Sequence, residues 1–138
     1  METTACPCGR PDARGKPLPY TACCGRYIGG AEPAPDAQSL MRSRYTAFTR
    51  RDESYLLATW HPDKRPGEVR FDPAAKWLGL EVRSHRLLDA DHAQVEFVAR
   101  CRVAGKGERL HERSRFTRED GRWFYLDGEP ASVVPMKG

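Results

Sequence analysis

Asp120-Gly121 narrows the folds open to this chain more than any other pair of residues, because it sits between two runs that alternate like strands. The segment from His111 to Gly128 reads HERSRFTREDGRWFYLDG. A two-residue type I′ turn needs positive φ at both central positions, which Asp and Gly tolerate best. Counting outward from that turn pairs Glu119 with Arg122, Arg118 with Trp123, Phe116 with Tyr125 and Ser114 with Asp127. One face then carries Glu112, Ser114, Phe116, Trp123, Tyr125 and Asp127, and the other Arg113, Arg115, Thr117, Phe124 and Leu126. Both faces mix apolar and polar residues. This implies a sheet covered on one side by helices, with polar groups at the bottom of a partly apolar concavity.

The remaining elements read in order. Asp36 can cap a helix from 37 to about 50, in which Ala37, Leu40, Met41, Arg44, Tyr45, Ala47 and Phe48 form a buried stripe. Asp52 can cap a second, with Tyr55, Leu56, Thr59 and Trp60 on one face, stopped at His61-Pro62 because the residue before proline avoids helical geometry. Residues 62 to 76 form a loop, with a turn of helix expected at Pro73 to Lys76. Trp77 to Leu88 reads as a strand that sets Leu78, Leu80 and Val82 against Gly79, Glu81 and Arg83. His92 to Val103 is another, with Val95, Phe97, Ala99, Cys101 and Val103 on one face, and Gly105-Lys106-Gly107 turns into the final hairpin. Helices followed by a four-stranded meander make an α+β fold, a curved antiparallel sheet wrapping helices into a cone.

Charged residues make up 30% of the 138 residues, and no run approaches the roughly 20 apolar residues of a membrane helix. The opening METTACPC has no apolar signal region, so a cytoplasmic protein is expected. A net charge of +4, spread along the chain, is weak evidence for nucleic acid.

Residues 1 to 35 hold four of the five cysteines, many Gly and Pro, and almost no aliphatic side chains. Such a segment cannot build a core, so something else must order it. Cys6 and Cys8 are separated from Cys23 and Cys24 by residues 9 to 22, and four soft thiolates select a tetrahedral metal site, zinc first and iron second. Two disulfides or four free thiols are the alternatives, less suited to a chain without a secretory signal.

The motif Cys6-Pro-Cys8-Gly9 followed by Tyr20-x-x-Cys23-Cys24-Gly25 resembles the SEC-C zinc motif, whose four metal ligands match Cys6, Cys8, Cys23 and Cys24. Arg10 stands where that motif usually has Ser, and Arg14 to Pro19 reads as an insertion. The segments SLMRSRYTAF, YLLATWHP, WLGLEV, EFVAR, ERSRF and GRWFYLDG together resemble the YchJ family of bacterial proteins, also called UPF0225. The resemblance implies a SEC-C knuckle at 1–32 and an NTF2-like, cystatin-type domain at 33–138. Longer members of that family add a second SEC-C motif, which ASVVPMKG does not supply. What it implies is a fold rather than a reaction.

A small molecule would sit in the cone. Tyr45, Trp60, His61, Trp77, Arg100, Glu112, Ser114, Tyr125 and Asp127 are the candidate lining. Two functions follow. One is a binding module: a zinc-stapled knuckle, with Arg10, Arg14, Lys16, Arg26 and Tyr20 facing a protein or RNA partner, on a body that holds a ligand or pairs with a second copy through its sheet. The other is an enzyme in which Glu112 or Asp127 orients His61 as a general base. The opposing structural reading is an arginine network of Arg42, Arg44, Arg100 and Arg115. The cysteine constellation is the more specific signal, and it favours the binding module.

Overall fold

The computed structural model describes residues 4–30 and 32–130. A single turn of 3-10 helix at Tyr20–Ala22 leads into α1 (Gly25–Ile28), followed by α2 (Ala37–Thr49) and α3 (Glu53–Ala58). Both capping expectations hold: Asp36 accepts from the Ser39 amide at 2.7 Å, and Asp52 from the Tyr55 amide at 3.1 Å. Then come β1 (Ala75–Asp89), β2 (His92–Val103), β3 (Lys106–Glu119) and β4 (Arg122–Pro130), an antiparallel meander in the order β1-β2-β3-β4. Among the described residues no helix is long and apolar enough to cross a membrane.

Two expected turns fall differently. The β2–β3 turn sits at Ala104 and Gly105, both with positive φ, so Lys106 already belongs to β3. At Pro73 to Lys76 there is no turn of helix, because Ala75 has begun β1.

Bulges shape the sheet. The β1–β2 pairing shifts register between Trp77 and Gly79, between Val82 and Ser84, and between Leu87 and Asp89. Each adds a residue to β1 and bends it, so the sheet curls toward the helices. The first bulge also turns Leu78 outward, where it is 49% exposed, while Leu80 and Val82 pack on the core. Leu78 therefore does not share their face, as simple alternation had it.

Helix α2 fills the hollow. Leu40 and Met41 are buried in one apolar cluster with Val95, Phe97 and Phe116 from the sheet. Its polar positions are buried too: Ser39, Ser43, Arg44 and Thr46 are at most 6% exposed. Ser43 Oγ donates to the Leu40 carbonyl at 2.7 Å and meets the Tyr55 hydroxyl at 2.6 Å, which joins α2 to α3.

The outer edge of β4 is paired at Tyr125. Past the end of α3 the chain runs alongside it: the Tyr125 amide donates to the Thr59 carbonyl and the His61 amide to the Tyr125 carbonyl, both at 2.8 Å. An extended segment sends successive side chains to opposite faces. Trp60 therefore enters the hollow and His61 leaves it.

Candidate metal centre and ligand cavity

The cysteine segment folds back on itself to bring its two halves together. Residues 10 to 18 form a small loop in which Leu18 donates to the Arg10 carbonyl at 2.9 Å and Cys6 to the Leu18 carbonyl at 2.9 Å. Asp12 Oδ1 closes its tip, accepting from the Arg14 and Lys16 amides at 2.8 and 3.0 Å. The stretch that reads as an insertion is thus a closed loop, and a longer loop costs little closure entropy. Gly25 follows Cys24 for a steric reason, since a Cβ there would lie 2.8 Å from both the Tyr20 carbonyl oxygen and its ring.

The four Sγ atoms of Cys6, Cys8, Cys23 and Cys24 lie within 4.8 Å of one another, and Cys8 and Cys23 approach to 3.5 Å. All four are buried and none is in a disulfide. A disulfide would need about 2.05 Å. A tetrahedral ion with sulfur at about 2.3 Å separates its ligands by roughly 3.8 Å, so the donor set and spacing fit one metal ion. Contact with Cys23 lowers the Cys6 and Cys8 thiols, Cys8 to about 7, while contact with Cys23 and burial raise Cys24. Four thiols this close cannot all ionise without a cation to share.

Helix α2 supplies the floor beneath the cluster. Thr46 Oγ1 lies 3.6 Å from Cys6 Sγ, Arg42 Nη1 donates to the Cys8 carbonyl at 3.1 Å, and Arg10 reaches Ser39 Oγ at 2.9 Å. Ser39, Arg42 and Thr46 are spaced to share one helical face. Nothing in the apolar periodicity signals this face; only the polar interruptions at 39, 42 and 46 could have. Of the basic residues expected to look outward, Arg10 is tied to Ser39, and Arg26 bonds the Cys23 carbonyl at 3.2 Å and the Tyr27 hydroxyl at 2.9 Å.

On its opposite side α2 borders a cavity of about 230 Å³ between helix and sheet. Tyr45, Trp60, Trp77, Glu112, Ser114 and Tyr125 line it, together with Met41, Arg44, Phe48, Phe97, Ala99, Leu110 and Phe116. Glu112 Oε2 accepts from Ser114 Oγ at 2.6 Å and from the Tyr125 hydroxyl at 3.4 Å. Gly128 passes directly beneath the Glu112 carboxylate, so a side chain there would have to displace it. Burial, with Glu112 nearby, pushes Tyr125 well above the usual phenol range.

Three of the nine candidates lie elsewhere. His61 Nε2 pairs with Glu119 at 2.6 Å, and its ring meets Phe124. Arg100, the strand neighbour of Ala99, faces Glu81 across the outside of the sheet. Asp127 is displaced by a bulge: Phe116 pairs with Tyr125 as expected, but Leu126 is extra, so Arg115 opposes Asp127 and Ser114 opposes Gly128. His61 and Asp127 are therefore not assembled with Glu112 and Tyr125, and the proposed acid and base set does not converge. Nor do the arginines form one network: Arg42 faces Cys8, Arg44 the cavity, Arg100 Glu81, and Arg115 Asp127.

Residues 36–128 match the middle, NTF2-like domain of YchJ. The chain belongs to the YchJ (UPF0225) family. A UPF0225 protein of Polaromonas naphthalenivorans is 62% identical over 133 residues, covering 92% of this chain and 98% of the relative. Two solved structures are similar to this YchJ-family chain, both of SEC-C motif containing proteins. The solution structure from Rhodopseudomonas palustris has a TM-score of 0.79 at 32% identity, covering 94% of this chain and 100% of the other. The crystal structure from Psychrobacter arcticus has 0.77 at 30%, covering 97% and 86%. The YchJ fold is thus an NTF2-like α+β domain carrying an N-terminal cysteine cluster.

Proposed function

We propose that this YchJ-family protein is a zinc-stapled binding module whose NTF2-like cavity holds a small ligand. The convergence of four buried, unbridged thiols within 4.8 Å carries the metal half of the reading. Cys6, Cys8, Cys23 and Cys24 would hold the ion, and zinc suits an all-sulfur tetrahedral set with no open position. Its role is structural, because a segment this poor in apolar residues draws its folding energy from the metal. The ion then fixes residues 4 to 30 against the Ser39, Arg42 and Thr46 face of α2. The other side of the same helix walls the cavity, so the staple also holds the cavity's shape.

The test is metal content per chain on protein purified without a chelating tag, with free thiols counted before and after chelator. About one zinc per chain, with four thiols protected until it is removed, is expected. Metal-free protein with four reactive or readily oxidised thiols would overturn the staple.

A further inference from the structure

Arg44 is a buried cation with three of its five N–H donors unused. The residue is 6% exposed. Nη1 donates to the Leu56 carbonyl at 2.8 Å and to Thr59 Oγ1 at 2.7 Å, which holds the end of α3. Among the described residues no acceptor meets Nε or Nη2, and Glu112 acts on the guanidinium only at longer range, without a hydrogen bond. Neither nitrogen is sealed inside protein, since His85 Nε2 is the one unpaired side-chain polar atom fully closed off among those residues. Each keeps some open surface, and Arg44 is part of the cavity lining. The Trp60 and Tyr125 rings lie 5.1 and 4.4 Å from the guanidinium carbon and fix its position. Burial lowers Arg44 to about 10, which leaves it charged at neutral pH. A buried charge with no carboxylate in direct contact is costly, and an arriving anion relieves that cost.

We propose that the cavity takes a small monocarboxylate with an apolar body, held through the Nε and Nη2 edge of Arg44. The proposal rests on the cavity being a ligand site. That edge presents two parallel N–H groups, the spacing that both oxygens of a carboxylate accept. One cation does not neutralise a phosphate dianion. Glu112, in the same wall, already brings a negative charge and turns the preference further toward a single one. The apolar body meets Met41, Tyr45, Phe48 and Trp77, and Leu110, 43% exposed, stands at the rim.

The experiment uses the full zinc-loaded chain and two pairs of probes, 3-phenylpropionate against 3-phenylpropanamide and octanoate against octanamide, with phenyl phosphate as a dianion. Trp60 and Trp77 line the cavity, so intrinsic fluorescence reads occupancy, and ligand-observed NMR confirms it. At least one acid should bind about tenfold more tightly than its amide. The preference should disappear in Arg44→Gln, and Leu110→Trp should block both members of the pair. The acid-to-amide ratio is measured on the native chain, so it stands even where Arg44→Gln fails to fold. Equal binding of acid and amide would overturn the carboxylate assignment and leave the ligand cavity standing, as would tighter binding of the phosphate. No binding of any probe at about 10 mM would overturn the cavity reading together with the assignment.

Discussion

Arg115 and Asp127 face each other edge to edge on the outside of the sheet, Nε to Oδ1 at 2.7 Å and Nη2 to Oδ2 at 2.6 Å. Straight counting from the Asp120-Gly121 turn places Ser114 opposite Asp127, inside the hollow. The extra residue Leu126 reverses that, and Trp60 Nε1 takes the Leu126 carbonyl at 3.2 Å. One bulge thereby removes a carboxylate from the cavity and fastens Trp60 into its wall.

Asp127→Ala should consequently have little effect. The Arg115 side chain is 57% exposed, and an exposed pair contributes less than about 1 kcal/mol. Arg115 holds Asp127 below the ordinary carboxylate range, so its contribution is present above the unfolded value and is lost as pH falls through the folded one. Urea unfolding at pH 7 and at acid pH checks this, and occupancy of the cavity should not change.

Gly25→Ala should disturb the metal centre. The added methyl meets backbone oxygen and ring of Tyr20, beside Cys23 and Cys24, and cannot be absorbed by a flexible side chain. A loss of about 1 to 3 kcal/mol is expected, together with faster release of metal to a chelator. Native metal retention and melting temperature would show the residue to be freely replaceable.

Ser43→Ala tests the seam between α2 and α3. Ser43 is fully buried, and removing its hydroxyl leaves the Tyr55 hydroxyl without its partner at 2.6 Å. The expected cost is about 1 to 3 kcal/mol by denaturant unfolding. The double variant Ser43→Ala with Tyr55→Phe should recover part of it, because both polar groups are then gone.

Stability should fall at alkaline pH. Burial raises Tyr45 and Tyr55 to about 12 and Tyr125 further, against an unfolded value of about 10. A raised folded value means the contribution is complete below the unfolded one and is lost as pH climbs toward the folded one. Absorbance at the phenolate band should show these tyrosines ionising late, together with unfolding. Smooth titration of all the tyrosines near pH 10 in folded protein would contradict their burial.

Much of the architecture is written locally. Asp36 and Asp52 cap their helices because a short carboxylate satisfies free amides wherever the chain begins to coil. The Asp120-Gly121 turn and the alternation of β2 need only nearest neighbours, and the four cysteines declare their chemistry by identity. The cavity was partly legible for the same reason. Tyr45 on the helical stripe and Ser114, Glu112 and Tyr125 on strand faces follow from period alone.

What the sequence could not decide is phase. Period two gives two faces and not which way an extra residue flips them, so Leu126 moved Asp127 out and the β1 bulge moved Leu78 out. Sequence places Trp60 and His61 together in the cavity lining; pairing of their backbone with the β4 edge, distant in sequence, sends them to opposite sides. The same holds for α2, whose polar positions are buried because the cysteine segment, α3 and the sheet all close on one helix. Turns, caps and donor chemistry are thus properties of neighbouring residues. The location of Arg44, buried in the cavity wall with three of its five donors unpaired, was decided by the tertiary structure, because only the closing of distant elements determines which polar groups lose their water and which find partners.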